Sequence, residues 1–136
     1  MDLASLAVTH EGQTLQLRHP IEGTILKTED DEPITITLVG TDSDVFRKAQ
    51  RTILDRRLNQ KGKTKLSAAE LEEEAVTTLI SCTLGWSGIV LDGEELAFSA
   101  ENVRKLYSRT DLPWIRDQVD EFIADRANFL KPSATS

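Results

Sequence analysis

The sequence predicts an α+β fold: a small N-terminal antiparallel β-hairpin packed against about four α-helices, with a mostly helical C-terminal half. Three observations carry this. Ile34, Ile36 and Leu38 alternate with Thr35 and Thr37, the period of a strand with one buried face. From residue 44 onward the apolar positions step instead by three to five, the pattern of amphipathic helices. Helix-starting serines, Ser43, Ser67 and Ser99, stand ahead of those runs. A chain of 136 residues without internal repeats fits a single domain over 1–136.

Residues 1–22 carry weak signals and read as a weakly structured N-terminal segment. Val8, Leu15 and Leu17 suit short strands around Glu11-Gly12, and Pro20 stops any regular element. Residues 24–28 and 34–39 are rich in β-branched side chains and are expected to form the hairpin, with Glu29-Asp30-Asp31-Glu32-Pro33 as its solvated tip. The four acids of that tip lack the alternating ligands and central glycine of a calcium loop.

Gly40 ends the second strand, and Asp42 or Ser43 caps the first helix. In DVFRKAQRTILDRRL the positions Val45, Phe46, Ala49, Ile53 and Leu58 form the inner stripe and the outer face is basic. Residues 60–66 read as a polar, mobile linker. Ser67 and Glu70 have the spacing of a capping box, and Glu72, Glu73 and Glu74 follow in the first turns, where the helix dipole favours acids. Leu71, Ala75, Leu79, Cys82 and Trp86 form the next stripe, with Gly85 expected to end that helix. Residues 87–98 read as a packed loop or short strand pair around Asp92-Gly93. Ser99 caps a short helix whose Val103, Leu106 and Tyr107 face inward. Asp111 is expected to cap the last helix, with Pro113 in its first turn. Ile115, Val119, Phe122, Ile123 and Phe129 make its inner stripe, and 131–136 form a frayed tail.

The net charge of −7 hides a segregated pattern. Residues 44–66 hold Arg47, Lys48, Arg51, Arg56, Arg57, Lys61, Lys63 and Lys65 against Asp44 and Asp55, while both flanks are acidic. Those flanks and the lack of interleaved aromatics argue against nucleic acid as partner. A solvated helix face or contact with an acidic surface of a partner or second copy remains. One cysteine excludes an internal disulfide and a cysteine-rich zinc module. No apolar run reaches membrane-spanning length, and MDLASLAVTH shows no basic leader, so a reducing cytoplasmic setting is expected.

No residue pattern points to catalysis. A phosphate loop, a metal pair of histidines and a nucleophile with its base are all missing from the sequence. Cys82 falls on an inner helix stripe and reads as a buried thiol; Asp42 and Asp44 at a helix start are explained by capping and dipole; His10 and His19 read as turn or surface residues. No enzyme activity, cofactor or metal is therefore expected. Arg126 falls on the apolar face of the last helix, so its stem lies along the core or its guanidinium meets a carboxylate of this or another chain. Trp86 and Trp114 fall at helix ends, where aromatic side chains are core or interface anchors. The candidate partner or oligomer contacts are Arg47, Arg51, Arg56, Trp86, Trp114, Arg126 and Phe129.

The stretch ITITLVGTDSDVFRKAQRTILDRRL resembles the N-terminal half of the small tail assembly chaperones of long-tailed bacteriophages. The resemblance lies in an apolar strand, the turn of Gly40, Asp42, Ser43 and Asp44, and a helix with Phe46, Arg47, Ala49 and Arg56-Arg57-Leu58. Gly85-Trp86, Phe98-Ser99, Glu101-Asn102 and Asn128-Phe129 continue it in the second half, so that it covers roughly residues 33–130. It implies a non-enzymatic, oligomeric protein that binds the aggregation-prone tape measure protein and keeps it competent while the tail tube assembles. It further implies a short form, with a frameshifted longer form recruiting tail tube protein, and residence in the host bacterial cytoplasm but not in the mature virion. The alternative reading is a minor tail or head–tail connector protein.

Overall fold

β1 (Gln13–Gln16) runs antiparallel to β2 (Thr35–Leu38), Gln13 opposite Leu38 and Gln16 opposite Thr35. This is the N-terminal hairpin of an α+β fold, seen in a computed structural model that describes residues 1–60 and 66–130. The expected frayed tail, 131–136, and most of the expected linker, 61–65, lie outside the described residues.

The hairpin uses a different first strand from the one anticipated. Residues 24–28 make only the single bridges Arg18 to Ile25 and Lys27 to Pro33. β2 is the central strand, with β1 on one edge and β3 (Thr83–Ser87) on the other, so no edge of it is left for 24–28. That segment bonds instead to the chain just beyond the ladder: Leu26 N–H donates to Leu17 O at 2.8 Å and Ile34 N–H to Leu26 O at 2.9 Å. The N-terminal segment is accordingly structural, and its Leu17 is 2% exposed.

β3 corrects a second expectation. The helix over 67–85 stops at Cys82, and the chain turns directly into a strand in which Trp86 faces Ile36 and Gly85 faces Thr37. Thr83 pairs with Leu38, so Leu84 is the extra residue of a β-bulge. Gly85 has no left-handed backbone and is not a helix cap. Pairing to β2 outweighs the helical spacing of Leu79, Cys82 and Trp86 in this stretch.

Three of the four helices start at the expected serines. α1 (Asp44–Leu58), α2 (Ala68–Cys82) and α3 (Ala100–Tyr107) start at Ser43, Ser67 and Ser99, whose hydroxyls accept from Phe46, Glu70 and Asn102 N–H. Ser67 and Glu70 form the capping box. α4 (Pro113–Ala124) begins at Leu112 with no side-chain cap; Asp111 binds Arg109 instead. Between β3 and α3, β4 (Val90–Leu91) and β5 (Glu94–Glu95) pair around Asp92 (φ 52°) and Gly93 (φ 82°). Two left-handed residues in succession suit the twist of a tight hairpin, and Asp-Gly meets that need.

The core joins the sheet to α2, α3 and α4 through Leu17, Ile36, Leu38, Val76, Leu79, Val103, Leu106, Val119 and Ile123, among others. α1 contributes nothing to it. Its one buried residue is Ile53, and Leu58, expected inside, is 74% exposed. α4 ends before the stripe does: a 3-10 turn, Arg126–Phe129, carries Phe129 back onto the body. There it meets Phe122 edge-on, ring centres 5.5 Å apart, and closes over Gly40.

Candidate partner-binding groove

α2 is the spine on which the other helices hang. Glu72, Glu73 and Glu74 are consecutive, so their side chains leave the helix about 100° apart. Each meets an arginine of a different element: Glu72 binds Arg116 of α4, Glu73 binds Arg104 of α3, and Glu74 binds Arg57 of α1. These acids, expected only to favour the helix dipole, thus tie three helices to one.

α1 is the least embedded of the four. Besides Ile53 and the Arg57–Glu74 pair, its contacts with α2 include a long approach of Gln50 Nε2 to Thr78 Oγ1 at 3.5 Å. An open hollow of about 370 Å³ lies between α1, α2 and α4, bounded by Phe46, Ile53, Leu71, Leu79 and Ile123. A second, of about 470 Å³, shares Thr41, Phe46, Gln50, Ile53 and Arg57 with the first and extends along Arg47, Arg51 and Leu54. The two make one groove, with Ile53, Leu79 and Ile123 as its floor. Leu54 (53% exposed) and Leu71 (51% exposed) stand at its rims.

The rims differ in charge. Arg47, Arg51, Leu54 and Leu58 fall at i, i+4, i+7 and i+11, a single stripe down α1. Neither Arg47 nor Arg51 has an ion pair among the described residues. On the α4 rim Asp120 makes no hydrogen bond or ion pair among the described residues, and partial burial holds its carboxyl above the ordinary value.

Of the remaining candidate residues, all but Arg56 are engaged inside the chain. Trp86 lies on β3, not at a helix end; its Nε1–H donates to Leu96 O at 2.8 Å and its ring meets Phe98 edge-on at 5.3 Å. Trp114 sits half-buried in the first turn of α4, against the core. Arg126 lies beyond α4, and Nε and Nη2 donate to the two Asp42 oxygens at 2.7 and 3.2 Å. Of the two roles anticipated for Arg126, the structure has the ion pair, within the same chain. Phe129 is 3% exposed. Arg56 is exposed, on the flank of α1 away from the groove floor, where it borders a separate hollow with Val45 and Ser81. Of the anticipated contacts, then, only Arg47 and Arg51 come together on the groove. Phe46, Leu71 and Asp120 join them there. The signal for Leu71 was present but misleading, since its place in the α2 stripe suggested burial.

The groups with intrinsic reactivity are quiet. Cys82 is fully buried, and burial pushes its thiol up to about 11. His19 Nδ1 accepts from the N–H groups of Ile21 and Glu22, and His10 Nδ1 from that of Asp44. Among the described residues no cluster of three or more His, Cys, Asp or Glu could hold a metal ion, and no helix is long and apolar enough to cross a membrane. No protein-family model, curated protein or solved structure matches the chain.

Proposed function

We propose that this chain is a tail assembly chaperone of a long-tailed bacteriophage or prophage, binding the tape measure protein and keeping it soluble while the tail tube assembles. The observation that supports this reading best is the groove along α1. It pairs an apolar floor with exposed leucines on a helix that the core does not use. A tape measure protein is long and largely helical, and an amphipathic helix seats its apolar face in such a groove without nucleotide hydrolysis. Several copies, acting as a homo-oligomer, would multiply weak single contacts through avidity. The protein works in the host cytoplasm and leaves before the virion matures; a longer frameshifted form would bring tail tube protein.

The test is to follow the chain through infection. It should co-purify with the tape measure protein from infected-cell lysates and be missing from purified virions. Persistence in virions at stoichiometric amounts would favour the minor tail or connector alternative.

A further inference from the structure

We propose that the groove between α1 and α4 is a charge-polarised seat for one amphipathic helix of a partner protein, acidic along the border that meets α1 and basic along the border that meets α4. The inference rests on the chaperone reading for its biological partner. The floor supplies Ile53, Leu79 and Ile123, so the occupant must bring an apolar stripe. The groove runs along α1 from Phe46 to Arg57, about 16 Å at the helical rise, which accommodates roughly three turns and anchors at i, i+3 or i+4, and i+7.

The rims carry the selectivity. Arg47 and Arg51 stand one turn apart on one side without ion pairs among the described residues, so carboxylates of an occupant can approach both. Asp120 stands on the other side, exposed at the groove beside Ile123 and without a hydrogen bond or ion pair among the described residues. Arg116 acts on it through charge alone, so a Lys or Arg from the occupant would give it a direct partner. A helix with two basic borders would meet repulsion at α1, and one with two acidic borders would meet it at Asp120.

A second copy fits poorly. Among the described residues α1 is the one helix whose apolar side chains are left mostly outside the core. Two α1 helices laid together about a twofold axis would put two basic stripes, each with Arg47 and Arg51, into one interface.

The experiment uses the full chain and three synthetic helical peptides of about 20 residues, long enough to hold helix. All share one leucine stripe. The first has glutamates on one border and lysines on the other, the second lysines on both, the third glutamates on both. Calorimetry should rank the mixed peptide at least about tenfold tighter than either of the others, and backbone NMR shifts should fall on α1, α2 and α4. In an Arg47→Glu/Arg51→Glu variant, which alters exposed side chains without ion pairs among the described residues, the order should invert in favour of the doubly basic peptide. Equal affinities, no binding, shifts elsewhere, or an unchanged order in the variant would overturn the proposal. So would a groove already filled by a second copy, seen as a dimer that excludes all three peptides. A chain that solubilises a tape measure protein yet ignores the peptides would keep the chaperone reading and lose this groove. Peptide selectivity without such rescue would keep the groove and lose the partner.

Discussion

Arg126 and Asp42 stand 84 positions apart and meet through two hydrogen bonds, joining the turn after α4 to the turn before α1. The guanidinium holds the Asp42 carboxyl below its ordinary 3.8, chiefly by hydrogen bonding and then by charge. A carboxyl whose value is lowered on folding stabilises the fold fully above its unfolded value and loses that contribution as pH falls through the folded one. Arg126→Ala should therefore lower the melting temperature at neutral pH, and the gap from the parent chain should close in acid below that window. Melting curves across the acid range check this; a gap that is constant with pH would assign the effect to lost packing.

Gly40 and Phe129 are fitted to each other. A Cβ on Gly40 would stand 2.9 Å from the Phe129 ring, which is itself buried. Gly40→Ala should cost about 1–3 kcal/mol through overpacking. Phe129→Ala should cost about 3–5 kcal/mol through the void it leaves. Because the first loss arises from the ring, the double variant should be more stable than the sum of the two by at least about 0.5 kcal/mol. Denaturant titration of the four proteins measures the coupling, and strict additivity would contradict it.

Tyr107 is the chain's single tyrosine and is buried. The Thr83 hydroxyl donates to Leu79 O at 2.7 Å, so in the 2.8 Å contact between the two side chains the tyrosine donates. Burial pushes its phenol up to about 12 from 10.0. The neutral form is favoured in the folded state, so this contribution is complete below about pH 10 and disappears as pH rises toward 12. Near-ultraviolet absorbance should show no tyrosinate until the chain unfolds in alkali. Tyr107→Phe should cost about 1 kcal/mol by removing the hydrogen bond. Titration near the value of free tyrosine in a folded protein would contradict the burial.

The three consecutive glutamates give a prediction about local motion. α1 packs on α2 with a single buried residue, Ile53, and the Arg57–Glu74 pair, whereas α3 and α4 also supply the core. Glu74→Gln should accelerate amide hydrogen exchange in α1 and leave α3 and α4 unchanged, because local opening follows the number of buried contacts. Uniform acceleration across all four helices would mean that α1 is not a separable element.

The helix starts were legible because a capping serine acts over three residues, and Ser43, Ser67 and Ser99 need no distant partner to do so. The Asp92-Gly93 hairpin was legible for the same reason. What escaped depends on distant chain. Residues 24–28 have strand composition, but the edges of β2 are taken by β1 and by β3. Trp86 keeps helical spacing with Cys82, yet the Ile36 strand claims it. The basic face of α1 was visible as charge, and the groove beside it was not. Groove formation requires knowing that Ile53 alone of α1 goes inside and that α4 brings Asp120 and Ile123 opposite.

The central claim is that this chain shelters the apolar surface of a tape measure protein. The direct measurement is the soluble fraction of that protein expressed with and without the chain in a host bacterium. The account predicts that it moves from the pellet to the supernatant when the parent chain is present, and less so with the Arg47→Glu/Arg51→Glu variant. A tape measure protein equally insoluble in both conditions would contradict it.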